Sequence, residues 1–284
     1  MLISILKTIN TSTQTAQKIC TLINCILLSL LINNIAVANE HLPQASLAII
    51  IDDIGNNFHL GKRAIELPGE LTFAVLPDTP QGTRLANYAE ENAPEKEIIL
   101  HMPMEAKSEQ QLGQLGLYDS LKHTEFSHRL ERALAEIPQA RGVSNHMGSH
   151  LTRQHEKMKW LMAELQPRNL FFVDSKTTKT NAASQAAKQY EVPYIARDVF
   201  LDHNKDADAL KHYFEKAIRY AKQDGLAVLI GHPYRSTLSF LEKELPKLEA
   251  RGIKLIKVSA ALAQTPQNQQ VALNISTPSS NIIQ

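Results

Sequence analysis

Short apolar runs alternate with amphipathic stretches along almost the whole chain. Leu47–Ile51, Leu71–Leu76, Glu97–His101, Arg141–His146, Leu170–Asp174, Pro193–Asp198, Leu226–Gly231 and Ile253–Val258 have the length and β-branched content of strands. Between them, His59–Leu67, Thr83–Glu91, Glu125–Ile137, Glu156–Leu165, Ala182–Tyr190, Ala207–Lys222 and Leu238–Ala250 repeat their apolar residues at helical spacing. The runs Leu47-Ala48-Ile49-Ile50-Ile51 and Leu226-Ala227-Val228-Leu229-Ile230 are apolar at every position, which is how a strand covered on both faces reads. A strand–helix unit repeated seven or eight times predicts a single-domain α/β fold, a (β/α) barrel complete or lacking one unit. A doubly wound open sheet is the alternative, and no internal sequence repeat is visible.

The two ends of the chain break this rhythm. Met1–Ala38 carries Lys7 and Lys18 but no Asp or Glu, runs apolar from Ile19 to Ile35, and closes on Ala36-Val37-Ala38, a small-x-small cleavage pattern. Its apolar run is interrupted by Asn24, Asn33 and Asn34 and falls short of the ~20 apolar residues of a spanning helix. Residues 1–38 are therefore expected to be a signal peptide that exports the protein to the periplasm. Its removal would leave no stable membrane insertion; a retained anchor is the alternative. Residues 39–45 read as a short polar linker and residues 46–264 as the barrel domain. Residues 265–284, rich in Gln, Asn, Ser, Thr and Pro without periodicity, read as a disordered tail.

Removing the leader changes the chemistry more than the charge. The formal charge of +1 becomes faintly negative, and both cysteines, Cys20 and Cys25, disappear. A disulfide-stapled fold, a thiol nucleophile and a Cys-ligated metal are thereby excluded for the mature chain. A near-neutral balance with no basic run also argues against nucleic acid as a partner.

In barrels and open α/β sheets the loops at the carboxyl ends of the strands build the site. The predicted strands end on Asp52-Asp53, Pro77-Asp78, His101 with Glu105 soon after, Asn145-His146 with His150 beyond, and Asp174-Ser175. Arg197-Asp198 follows, then Asp202-His203, and finally His232. The strand starts (Ser46, Glu70, Glu97, Arg141, Asn169, Val192, Gly225 and Gly252) hold no such cluster. Singly, each signal has a plainer reading: an Asp pair can be a turn that caps a helix, and His101 or His232 a hydrogen-bonded structural histidine. Together, ionisable groups beside apolar strand ends are costly unless paired or bound to a metal.

Without thiols, a metal must be held by imidazole and carboxylate. Two neutral imidazoles and one carboxylate suit Zn²⁺ or another divalent transition metal, and three protein ligands leave a position open for water or substrate. His101 and His146 are the candidate imidazoles; Gly148 argues against a helix presenting both His146 and His150, so His150 is expected behind the ligands. One Asp of the pair would bind the cation and the other, on spacing alone the second, would be the general base. Arg197 is placed to keep that base ionised, with Asp198 as its other partner. His232, across the mouth, is the candidate general acid. Glu105, Asn145, Asp174 and Asp202 complete the mouth as candidate substrate-binding residues.

Ile50-Ile51-Asp52-Asp53 followed by Phe73-Ala74-Val75-Leu76-Pro77 resembles the opening of the polysaccharide deacetylase superfamily. His101-Met102-Pro103-Met104-Glu105, Gly142–Ser149, Phe172–Thr177, Ala196–Asp202 and Ile230-Gly231-His232-Pro233 together resemble the divergent polysaccharide deacetylase family of bacterial envelope proteins, from about Ser46 to Ala263. The resemblance implies a distorted (β/α) barrel and metal-assisted hydrolysis of an N-acetyl group on an envelope glycan, with peptidoglycan the most available polymer. It implies that Asp52, not Asp53, is the base acting on water, that Asp53 is a metal ligand, and that His232 protonates the leaving amine. Ordinary members take both histidine ligands from one His-x-x-x-His segment, whereas here Glu105 stands at the fifth position. Either His146 from the neighbouring strand replaces the missing histidine, or Glu105 itself binds. The superfamily's Arg-Pro-Pro segment is also absent, with Ser144-Asn145-His146 in about its place. Two other readings stay open: a non-catalytic envelope protein that binds a glycan or cell-wall partner through the same mouth, and a metal-dependent phosphoesterase, which would want a basic clamp beyond Arg197.

Overall fold

The computed structural model describes residues 45–265, except residue 109, together with Asn268. The expected leader, all of the expected linker but Ala45, and most of the expected tail lie outside the described residues. Among those described, nine strands form one parallel sheet: β1 (Ala45–Ile54), β2 (Thr72–Val75), β3 (Glu97–Met104), β4 (Gly142–Met147), β5 (Phe171–Asp174), β6 (Tyr194–Ala196), β7 (Val199–Phe200), β8 (Leu226–Gly231) and β9 (Ile253–Ile256). They are ordered β6-β5-β4-β3-β2-β1-β8-β7, and β9 pairs with the first half of β1. Helices α1 (Phe58–Ile65), α2 (Gly82–Asn92), α3 (His123–Glu136), α4 (His155–Leu165), α5 (Ala182–Gln189), α6 (Ala207–Asp224), α7 (Arg235–Glu244) and α8 (Val258–Leu262) follow the strands. The fold is a distorted (β/α) barrel.

The two edge strands, β6 and β7, are consecutive in the chain and separated only by Arg197-Asp198. The Arg197 N–H donates to the Asp174 carbonyl of β5, and the Asp198 N–H to the Val228 carbonyl of β8. One short segment thus stitches both edges and curls the sheet on itself. It also splits the single strand expected over Pro193–Asp198, so that Asp198 stands at the start of β7 and not at a carboxyl end.

Alternation along the strands sets two apolar layers. Leu47, Ile49 and Ile51, Leu100 and Met102, Phe172, and Ala227 and Leu229 pack under the helices. Ala48 and Ile50, Ala74, Ile99, Phe171 and Val173, and Val228 and Ile230 fill the barrel interior. Both faces of each strand are covered, which is why the runs read as apolar throughout. The inward rows continue past the apolar residues, from Ile50 to Asp52, from Ile99 to His101 and from Ile230 to His232.

The opposite end is plugged by α8, whose Val258, Ala261 and Leu262 join the interior layer. There the Thr72 hydroxyl donates to Glu97 Oε1 at 2.9 Å, Glu97 Oε1 also accepts the Ser259 N–H at 3.1 Å, and the Val258 N–H reaches Thr72 Oγ1 at 3.1 Å. Asn268, inside the expected tail, is buried; its side chain accepts from the Tyr194 N–H and donates to the Tyr194 carbonyl, both at 3.0 Å, along the outer edge of β6.

Candidate active site

A regular strand would send Asp52 into the barrel and Asp53 out under the helices. Between Ile51 and Ile54, however, the pairing of β1 with β2 slips, and Asp53 takes a left-handed φ of 58°. Aspartate tolerates that region better than most residues. The irregularity re-aims the second carboxylate, as bulges beside sites do, so both consecutive aspartates reach the mouth.

Asp53 meets two imidazoles there. Its Oδ1 lies 2.8 Å from His146 Nδ1 and 3.3 Å from His101 Nε2, and the three ligand atoms fall within 4.8 Å of one another. Despite these approaches, Oδ1 is buried without a hydrogen bond of regular geometry. Three donor groups from β1, β3 and β4 that converge this closely fit a shared cation. Ser144 strengthens the fit: its Oγ is 2.7 Å from His101 Nδ1, across the pair that His101 and Ser144 form in the β3–β4 ladder. A hydroxyl accepting from Nδ1–H leaves the Nε2 lone pair toward Asp53, the arrangement metal-ligating histidines favour. Two imidazoles and one carboxylate could hold a divalent transition metal. Burial alone would raise the Asp53 carboxyl, but His101 and His146 beside it hold it well below the usual carboxylate range.

Asp52 sits deeper. Its Oδ2 is 3.6 Å from His101 Nε2, and its Oδ1 is buried with no hydrogen-bond partner. Burial raises its carboxyl above the ordinary value, although His101 and His232 pull the other way. On the far side of the mouth His232 is held twice by Asp202, whose Oδ2 accepts the His232 backbone N–H at 2.7 Å and whose Oδ1 lies 2.9 Å from Nδ1. That leaves Nε2 facing the mouth, 3.7 Å from Asp53 Oδ2. Burial would lower the imidazole, but the Asp202 carboxylate, with Asp52 and Asp53 beyond it, raises it above the ordinary histidine value.

Asp52, Asp53, His101, His146 and His232 are thus brought together. The remaining predicted residues are placed differently. Asp202 is fully buried behind His232, also accepts from the Thr237 hydroxyl at 2.9 Å, and holds the imidazole instead of facing a substrate. Asn145 is a loop brace: it donates to the Met147 carbonyl and accepts the Ser175 N–H. Asp174 shares the outward side of Phe172 and accepts from the Tyr194 hydroxyl at 2.9 Å. Glu105 uses its carboxylate on the Asp119 N–H at 2.6 Å, and His146 is the group beside His101, with ring centroids 5.1 Å apart. His150 faces Asp119 Oδ2 at 3.4 Å, away from the cluster.

Arg197 makes no ion pair with Asp52 or Asp198 among the described contacts. Its guanidinium donates to the Ser175 and Lys176 carbonyls, and burial lowers it despite the charges of Asp52, Asp174 and Asp198. Asp198 accepts the Val228 N–H at 2.8 Å and pins β7 to β8. Sequence reading passed over Ser144, which the β3–β4 register would have exposed, and the aromatic neighbours of His232, Phe200 and Tyr234.

Comparison with known proteins gives one consistent result. The family model for divergent polysaccharide deacetylases matches residues 49–262. The uncharacterized protein YibQ of Escherichia coli K12 is 33% identical over 237 residues, 84% of this chain and 72% of its own length. An uncharacterized protein of Haemophilus influenzae Rd is 33% identical over 205 residues, 72% of each chain. The crystal structure of an uncharacterized protein from Agrobacterium tumefaciens C58 superposes with a TM-score of 0.72 at 22% identity, covering 77% of this chain and 89% of its own.

Proposed function

The chain belongs to the divergent polysaccharide deacetylase family, and from that premise we propose that it is a periplasmic, zinc-dependent hydrolase that removes N-acetyl groups from an envelope glycan of the peptidoglycan type. The observation that carries the reading is the convergence of Asp53, His101 and His146 with a buried Asp52, whose Oδ1 has no hydrogen-bond partner, on one side and His232 on the other. Asp53, His101 and His146 would hold the metal, which supplies Lewis acidity toward the acyl oxygen and the attacking water.

The chain's own groups divide the proton work. Asp52, its carboxyl raised above the ordinary value by burial, takes a proton from water as the water oxygen bonds to the acyl carbon. His232, its affinity for a proton raised by Asp202, gives its Nε2 proton to the amide nitrogen as the carbon–nitrogen bond breaks. Acetate and a free amine leave. Asp202 is a positioning residue here, fixing which imidazole nitrogen faces the mouth.

The test is direct. Mature protein is expected to bind about one equivalent of zinc, measured by elemental analysis, and to release acetate from N-acetylglucosamine polymers. Metal-replete protein that releases no acetate from any such polymer sinks the enzymatic reading; binding without turnover would make the mouth a glycan receptor.

A further inference from the structure

One side of the mouth carries a row of stacked side chains around His232, and the proton chemistry uses no other member of it. Arg197, over the Phe200 ring at 5.1 Å from its centre, begins it. Phe200 leans on the His232 imidazole, with centroids 5.1 Å apart, and Tyr234 stacks on that imidazole at 5.5 Å with planes 28° apart. Lys205 ends the row, its Nζ 3.6 Å from the centre of the Tyr234 ring. The local sequence explains the stacking. The Tyr234 N–H bonds back to the His232 carbonyl at 2.8 Å, and Pro233 between them fixes the backbone of this three-residue turn.

Two features of the row point to a ligand. Tyr234 is 37% exposed, the one large apolar side chain that open among the described residues. Lys205 is held over an aromatic ring at the rim, with no carboxylate paired to it among the described residues. A ring-bound ammonium is already oriented, and Tyr234, stacked on His232 and carrying Lys205 over its ring, holds that charge beside the mouth.

We propose that Tyr234 and Lys205 form a subsite for a carboxylate-bearing sugar next to the residue that loses its acetyl group. The reading rests on the deacetylase assignment, because His232 then serves the leaving amine and the glycan must extend over the side of the mouth where Tyr234 lies. Lys205 meets the carboxylate, Tyr234 holds the ammonium in position, and the neutral sugar to be deacetylated occupies the centre.

The experiment compares two tetrasaccharides of equal length on zinc-loaded mature protein. One is neutral N-acetylglucosamine throughout; the other alternates it with N-acetylmuramic acid carrying free carboxylates. Acetate release and calorimetric binding are both measured. The parent should favour the carboxylate-bearing chain by about threefold, roughly the worth of one exposed charge pair, and the ratio should shrink at high salt. Lys205→Met should bring the ratio to about one, and Lys205→Arg should restore it. Equal handling of the two chains by the parent, or a ratio that survives Lys205→Met, overturns the subsite. If neither chain releases acetate, carboxylate-selective binding lost in Lys205→Met upholds the subsite and sinks the deacetylase reading; no binding of either chain overturns both.

Discussion

At the amino ends of the strands, Thr72, Glu97, Val258 and Ser259 satisfy one another around a short helix that stops the barrel. At the carboxyl ends, Asp52 Oδ1, Asp53 Oδ1 and Ser175 Oγ are buried without hydrogen-bond partners, three of the five such side-chain atoms described. Both ends bury polar groups in the same apolar cylinder. An unpaired buried acceptor costs ~1–3 kcal/mol, so the hydrogen-bonded end favours folding, whereas Asp52 Oδ1 and Ser175 Oγ subtract from it and Asp53 Oδ1 has only the nearby imidazoles. The contrast separates what holds this barrel together from what the barrel is for.

Asp53→Asn should break the contrast hardest. Asparagine also tolerates a left-handed backbone, so the fold should stand while one charged ligand is lost. Elemental analysis should find no retained zinc, and acetate release should fall to background. Retained zinc would remove Asp53 from the ligand set. Glu97→Ala should do the reverse. It strands the Thr72 hydroxyl and the Ser259 N–H, at ~1–3 kcal/mol each, and should lower the melting temperature by several degrees without changing zinc content per folded molecule. A melt unchanged from the parent would mean that the lower network contributes little. Ser144→Ala should have the smallest effect, weakening zinc affinity by ~10–100-fold through loss of the group that fixes the His101 ring, as read by chelator competition.

The sequence made one end of the barrel far more legible than it made the direction of each side chain. Asp52, His101 and His232 could be read because each ends an apolar strand on its inward row. Asp53 reaches the mouth through a left-handed backbone that no residue pattern announces. Asp174 was misplaced for the opposite reason: it also ends a strand, but on the outward row, where Tyr194 binds it. Asp202 and Asn145 lie close to the mouth yet spend their hydrogen bonds on the protein itself. Asp198 lies away from the mouth because the run that reads as one strand is two, meeting at the seam. Nearness to a strand end predicts the neighbourhood, and only parity and pairing predict the orientation.

The second imidazole at this mouth comes from β4, not from the loop that carries the first. Asp53, His101 and His146 therefore belong to three separate strands, and a one-residue slip of β4 along β3 would turn His146 outward. No partial chain ending before residue 146 can assemble the trio, and no misregistered sheet can. Loading of a metal at this mouth would thus report on assembly itself, arriving late in folding and acting as a clasp on strand pairings already made.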